Sequence, residues 1–114
     1  MTARFRAAAR ADLRAIARFL AEVHVRLGYP PDEARRMARQ RLVAIVAAAE
    51  RIDRAPGMGQ PENGLSEGLR RVALERATYW YRIDDGDVVI EAVFTAGQDH
   101  LAHMRRRLAE RGGT

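Results

Sequence analysis

Gly68-Leu-Arg-Arg-Val-Ala-Leu-Glu-Arg-Ala-Thr-Tyr-Trp-Tyr-Arg-Ile-Asp-Asp-Gly-Asp-Val-Val-Ile-Glu-Ala-Val-Phe-Thr-Ala-Gly-Gln-Asp99 is the stretch that decides the fold. Two runs rich in aromatic and β-branched residues, Ala77 to Ile83 and Val88 to Thr95, flank Asp84-Asp85-Gly86-Asp87. An Asp-Gly pair between alternating apolar runs predicts a hairpin, because a type I′ turn needs positive φ at both central residues. With Asp85-Gly86 as a two-residue loop, Ile83 faces Val88 and Tyr81 faces Ile90. Regular pairing then sets Tyr79 opposite Ala92 and Ala77 opposite Phe94, all on one apolar side. The other side carries Thr78, Trp80 and Arg82 against Val93, Glu91 and Val89, a mixed face suited to a partner.

A third strand is expected over Leu65 to Leu74, its core being Leu69 to Leu74. If Glu75-Arg76 forms a two-residue turn, Arg71 lies opposite Trp80, where a cation–π contact is open to it. Upstream, Ala55 to Gly64 holds two prolines and three glycines and reads as a loop. Gln98 or Asp99 caps a last helix, with Leu101, Met104 and Leu108 on one stripe beside Arg105-Arg106-Arg107. The end of the chain, from Arg111, is expected to fray.

The first half has a helical period. Leu13, Ile16, Leu20, Val23 and Leu27 recur at steps of three and four, and Gly28-Tyr29-Pro30 ends that stripe. Pro31-Asp32-Glu33 opens a second helix, with proline at its start and acids in the first turn. Its stripe is Ala38, Leu42, Ile45, Ala49 and Ile52. The connection is short enough to demand an antiparallel helical hairpin. Before it, Thr2 to Ala7 alternates as a short strand able to pair at a sheet edge. The expected architecture is α+β: a short N-terminal strand, an antiparallel helical hairpin, a three-strand antiparallel meander and a C-terminal helix, with a helical layer on one sheet face.

The 114 residues suit one domain, spanning the whole chain. Cysteine is absent, which excludes disulfides and thiol chemistry. No apolar run reaches the roughly 18 residues of a membrane span and no secretory leader is visible, so a cytoplasmic protein is expected. All 20 basic residues are arginine, and the net charge is +5. Residues 1–54 hold 12 Arg against 6 acids, residues 55–97 hold 4 against 7, and residues 98–114 hold 4 against 2. That asymmetry points to a nucleic acid or an acidic protein as partner.

Several short motifs, in this order and spacing, make the chain recognisable. They are Pro56-Gly57-Met58-Gly59, Gly68-Leu69-Arg70, Tyr81-Arg82, Asp85-Gly86 and Val93-Phe94-Thr95-Ala96-Gly97-Gln98-Asp99, with Arg10-Ala11-Asp12-Leu13 entering a long helix. Together they resemble the RelE/ParE toxin superfamily, over nearly the whole chain and closer to the ParE branch. The resemblance implies the toxin of a bacterial type II toxin–antitoxin module and a cognate antitoxin protein as partner, in a hetero-oligomer. It implies one of two actions: ParE-like inhibition of DNA gyrase by binding, or RelE-type cleavage of mRNA on the ribosome. The first is the expectation here and the second its alternative.

RNA cleavage by 2′-OH attack needs a base, an acid and cations around the phosphorane. Arg70, at the Gly-Leu-Arg position, and Arg82 are the candidate cations, with His100 and His103 as the candidate acid–base groups. At the end of the last strand stands Thr95, which has no useful pKa near neutrality. For a target or antitoxin surface the candidates are Arg70, Arg71, Trp80, Arg82, Arg105 and Arg106. Most have a plainer role: Arg70 is a strand arginine pairing with a nearby acid, Arg82 reaches Glu91 diagonally across the hairpin, Trp80 packs under the terminal helix, and Arg105 to Arg107 form a solvated surface. His100 and His103 share a helix face but lack further ligands, so neither a metal nor a cofactor is expected.

Overall fold

The computed structural model describes residues 3–95 and 99–111. Strand β1, Arg4–Phe5, leads into α1, Ala7–Arg26, and α2, Pro31–Arg54. A short 3₁₀ turn, Pro56–Met58, precedes β2, Gln60–Pro61; then come β3, Arg70–Leu74, β4, Ala77–Asp84, β5, Asp87–Thr95, and α3, His100–Glu110. The expected α+β architecture is present, enlarged by β2. The sheet order is β1-β5-β4-β3-β2, with β1 parallel to β5 and the remaining pairs antiparallel.

Both hairpin turns have two residues. Asp85 and Gly86 take φ of 53° and 84°, and Glu75 and Arg76 take 52° and 58°. The second turn pays a steric cost that glycine would avoid. Arg41 and Arg51 offset part of it by lying near the Glu75 carboxylate, and Arg41 also bonds the Glu75 carbonyl.

Alternation along β4 sorts two cores. Ala77, Tyr79 and Tyr81 face the α1–α2 hairpin and pack with Ala9, Leu13, Ile16, Ile45, Ala49 and Ile52. Trp80 faces the other way and packs with Leu69, Ala92, Phe94 and Met104 of α3. The sheet is therefore covered on both faces, by the helical hairpin on one and by α3 on the other, where Trp80 packs under the terminal helix as its plainer role foresaw. The helical stripes are largely as expected: Leu13, Ile16, Ala38, Ile45, Ala49 and Ile52 are buried. Leu27 lies past the helix end and is 70% exposed. Among the described residues no helix is long and apolar enough to cross a membrane.

Two expected features are corrected. The third strand begins at Arg70, not Leu65. Leu65 and Ser66 donate their amides to Glu62, and Gly68, at φ 83°, donates to the Asn63 side chain, so residues 62–69 fold into turns. The register also holds only from Asp84 to Tyr81. Tyr81 pairs with Ile90, but Trp80 pairs with Ala92, Tyr79 with Val93 and Ala77 with Thr95. Glu91 is the extra residue of a β-bulge. The Gln98 alternative for the helix cap and the final residues 112–114 lie outside the described residues. Asp99 does cap α3, accepting from the Ala102 amide at 3.1 Å.

Candidate functional site

The motif residues gather first around a loop. The Tyr81 hydroxyl donates to the Pro56 carbonyl at 2.6 Å and accepts from the Gly59 amide at 2.9 Å. Arg70 extends over the same loop, donating to the carbonyls of Gly59 at 2.5 Å and Gly57 at 3.4 Å. The Pro-x-x-Gly, Gly-Leu-Arg and Tyr-Arg segments are thus one clamp that seats the loop on the edge of the sheet.

Arg82 belongs elsewhere. Arg70 pairs with Tyr81, so it shares that residue's side of the sheet, while Arg82 points with Trp80 to the opposite side. The two arginines do not converge. Arg82 donates to Glu91 at 3.1 Å, the cross-strand contact expected from its position, and also to the Glu67 carbonyl and Ser66 hydroxyl, both at 2.7 Å.

Glu91 is the centre of the second constellation. Its side chain is 1% exposed, and its carboxylate receives Arg6 from the end of β1, Arg82 from β4 and Arg111 just beyond α3. Beside it, Arg107 grips Asp12 of α1 with both terminal nitrogens, at 2.7 and 2.8 Å, and touches the Glu91 carbonyl at 3.2 Å. The bond to Asp12 holds Arg107 in its charged form more firmly than usual. Asp12 also accepts from the Val93 amide at 3.0 Å, where β5 has run past its parallel partner β1. Arg6, Arg111, Asp12 and Glu91 were absent from the sequence candidates. Adjacent strand positions gave Arg82–Glu91 away, but nothing local announces residues 6 and 111.

The other candidates take plainer positions. Trp80 is fully buried, with Arg71 stacked 5.4 Å over its ring, so the indole face is not offered to a ligand in this arrangement. Arg71 also pairs with Glu62 at 3.0 Å. His100 and His103 flank Phe94 at ring-centroid distances of 5.2 and 5.3 Å, and His103 meets Arg106 at 2.8 Å. The arginine run of α3 splits: Arg107 is half-buried and paired, while Arg105 and Arg106 are exposed. Among the described residues no group of three metal-ligating side chains assembles.

Arg82 and Arg105 do meet across a cavity. It is an open hollow of about 590 Å³ between β4, α3 and the 62–69 turns, and Arg6, Arg82, Arg105 and Arg111 line it with Ser66, Asp84, Leu65, Ile83 and Leu108. Four guanidiniums therefore border one hollow, three of them held by Glu91.

The closed hairpin, five-strand mixed sheet and terminal helix have a counterpart among solved structures. A chain of the structure titled "Chromosomal ParDE TA system from P. aeruginosa" matches with a TM-score of 0.56 and 20% identity, over 83% of this chain and 95% of that one. The two share a fold. No family model matches the sequence, and no curated protein matches it. The α+β fold expected from the sequence is thus present and shared with a chain of that structure, where sequence similarity is faint.

Proposed function

We propose that this chain is the toxin of a type II toxin–antitoxin module, arresting growth in the cytoplasm by ParE-like inhibition of DNA gyrase and neutralised in a hetero-oligomer with a cognate antitoxin. The fold shared with a component of a ParDE system supports the toxin–antitoxin assignment. One observation carries the preference for inhibition over RNA cleavage: the candidate catalytic groups are dispersed. Arg70 clamps a loop on one side of the sheet, Arg82 is bound to Glu91 on the other, and His100 and His103 are packed on Phe94. General acid–base catalysis needs these groups within reach of one phosphate.

Induced expression in a bacterial host, with and without a cognate antitoxin, tests the first part; arrest relieved by the antitoxin is expected. Purified protein is then assayed with gyrase on plasmid DNA and, separately, with translating ribosomes on a defined mRNA. Inhibited supercoiling with intact mRNA is the expected pair. Codon-phased mRNA cuts with unaffected gyrase would establish the RelE-type endoribonuclease instead.

A further inference from the structure

The arginine-lined cavity has no role in that reading, and its chemistry is specific. Its volume of about 590 Å³ falls in the range of small-molecule sites, roughly 300–1,000 Å³. Arg82 has all three of its nitrogens engaged, by Glu91, Glu67 and Ser66, but Arg6 meets Glu91 through Nε and Arg111 meets it through Nη1, leaving their other nitrogens unengaged by that carboxylate. Arg105 makes no hydrogen bond or ion pair among the described residues. Four guanidiniums against Asp84 and Glu91 leave two positive charges in excess. A phosphate monoester carries about −1.5 to −2 near neutrality and offers three acceptor oxygens, which balances that excess where a single carboxylate does not. Guanidiniums already oriented by Glu91 lose little freedom on binding it. Leu65, Ile83 and Leu108 supply an apolar wall beside them.

We propose that this cavity binds a terminal phosphate monoester on an aromatic or apolar body, a ligand of mononucleotide size, with the phosphate among Arg6, Arg105 and Arg111 and the body against Leu65, Ile83 and Leu108. The ligand is a free mononucleotide or the phosphorylated end of a nucleic-acid strand. A neighbouring hollow of about 740 Å³ shares Arg6, Asp84 and Arg111 and adds Arg4 and Arg10, a continuous basic path for further nucleotides.

Titration calorimetry on the full chain tests this with AMP, adenosine, inorganic phosphate, a 5′-phosphorylated trinucleotide and a glutamate-rich peptide. AMP is expected to bind well above adenosine and inorganic phosphate. Arg105→Ala should weaken it about tenfold or more, with the melting temperature of the unliganded protein unchanged. Arg106→Ala, which removes the partner of His103, should leave AMP affinity intact. A trinucleotide tighter than AMP identifies a strand end as the natural ligand; equal or weaker binding identifies the free nucleotide. AMP no better than adenosine, or unchanged by Arg105→Ala, overturns the site. Inorganic phosphate as tight as AMP overturns the apolar half of the assignment. A peptide that binds these arginines more tightly than AMP replaces the site with a protein-docking surface.

Discussion

At the residue scale, the two glycines of Pro56-Gly57-Met58-Gly59 have different reasons to be there. A Cβ on Gly59 would lie 2.6 Å from the Tyr81 hydroxyl and 3.0 Å from the Arg71 carbonyl, whereas one on Gly57 meets nothing within 4 Å. Gly59→Ala should therefore cost about 1–3 kcal/mol in urea unfolding, through the overpacking and the displaced tyrosine. Gly57→Ala should stay within about 0.5 kcal/mol. Equal effects would refute the clamp. Tyr79 makes a separate test. Burial raises its pKa well above the ordinary tyrosine value, and its hydroxyl donates to the Ile45 carbonyl at 2.6 Å. Above about pH 10 the unfolded chain loses this proton while the folded one keeps it, so stability falls as pH rises. Lysine and cysteine are absent, which leaves few other groups titrating there. Tyr79→Phe should be less stable at neutral pH but lose stability less steeply between pH 10 and 11; parallel slopes would contradict the assignment.

At the scale of elements, α3 is held by the buried Met104, by Leu108, His100 and His103 packed beside it, and by arginines reaching back to Asp12 and Glu91. Asp12→Ala removes the partner of Arg107 and of the Val93 amide together, and should destabilise by about 2–4 kcal/mol. Hydrogen exchange in α3 should accelerate more than in α2; uniform acceleration would mean that Asp12 supports the whole core instead. The same element shows how far the sequence could be read. Its stripe was visible in Met104 and Leu108, although Leu101, expected on the same stripe, is exposed, and Asp99 was one of the two caps expected. The packing of Trp80 beneath the helix was visible too, but not that Ala92 and Phe94 join Trp80 there, since the bulge reverses their side of the sheet. The near half of the hairpin was legible because Asp85-Gly86 dictates the turn. The far half was not, because Glu91 occupies a position where regular alternation also expects a polar side chain. Strand β2 was hidden in a composition typical of loops, and it pairs through backbone at only two positions. Of the site, Arg82–Glu91 followed from cross-strand geometry, while Arg6 and Arg111 join only once the ends of the chain come together.

At the scale of the whole molecule, Glu91 ties residue 6, residue 82 and residue 111 to one carboxylate. Glu91→Ala would leave three like charges facing one another. Arg6 and Arg111 keep contact with water, so the loss should be about 2–3 kcal/mol, toward the lower end for a broken buried pair. Circular dichroism should show the transition broadening as the two chain ends loosen from the sheet. A sharp transition at the original midpoint would show that the arginines repair the loss among themselves. The bulge that delivers Glu91 has one more effect. Residues up to Ile90 and residues from Ala92 onward meet β4 with opposite parity. A hairpin of uniform parity can slide by two positions and keep every apolar side chain inward, but here any slide carries the bulge away from its arginines. The irregularity therefore works as a ratchet tooth, fixing one alignment of β5 and denying the chain its nearest misfolded neighbours.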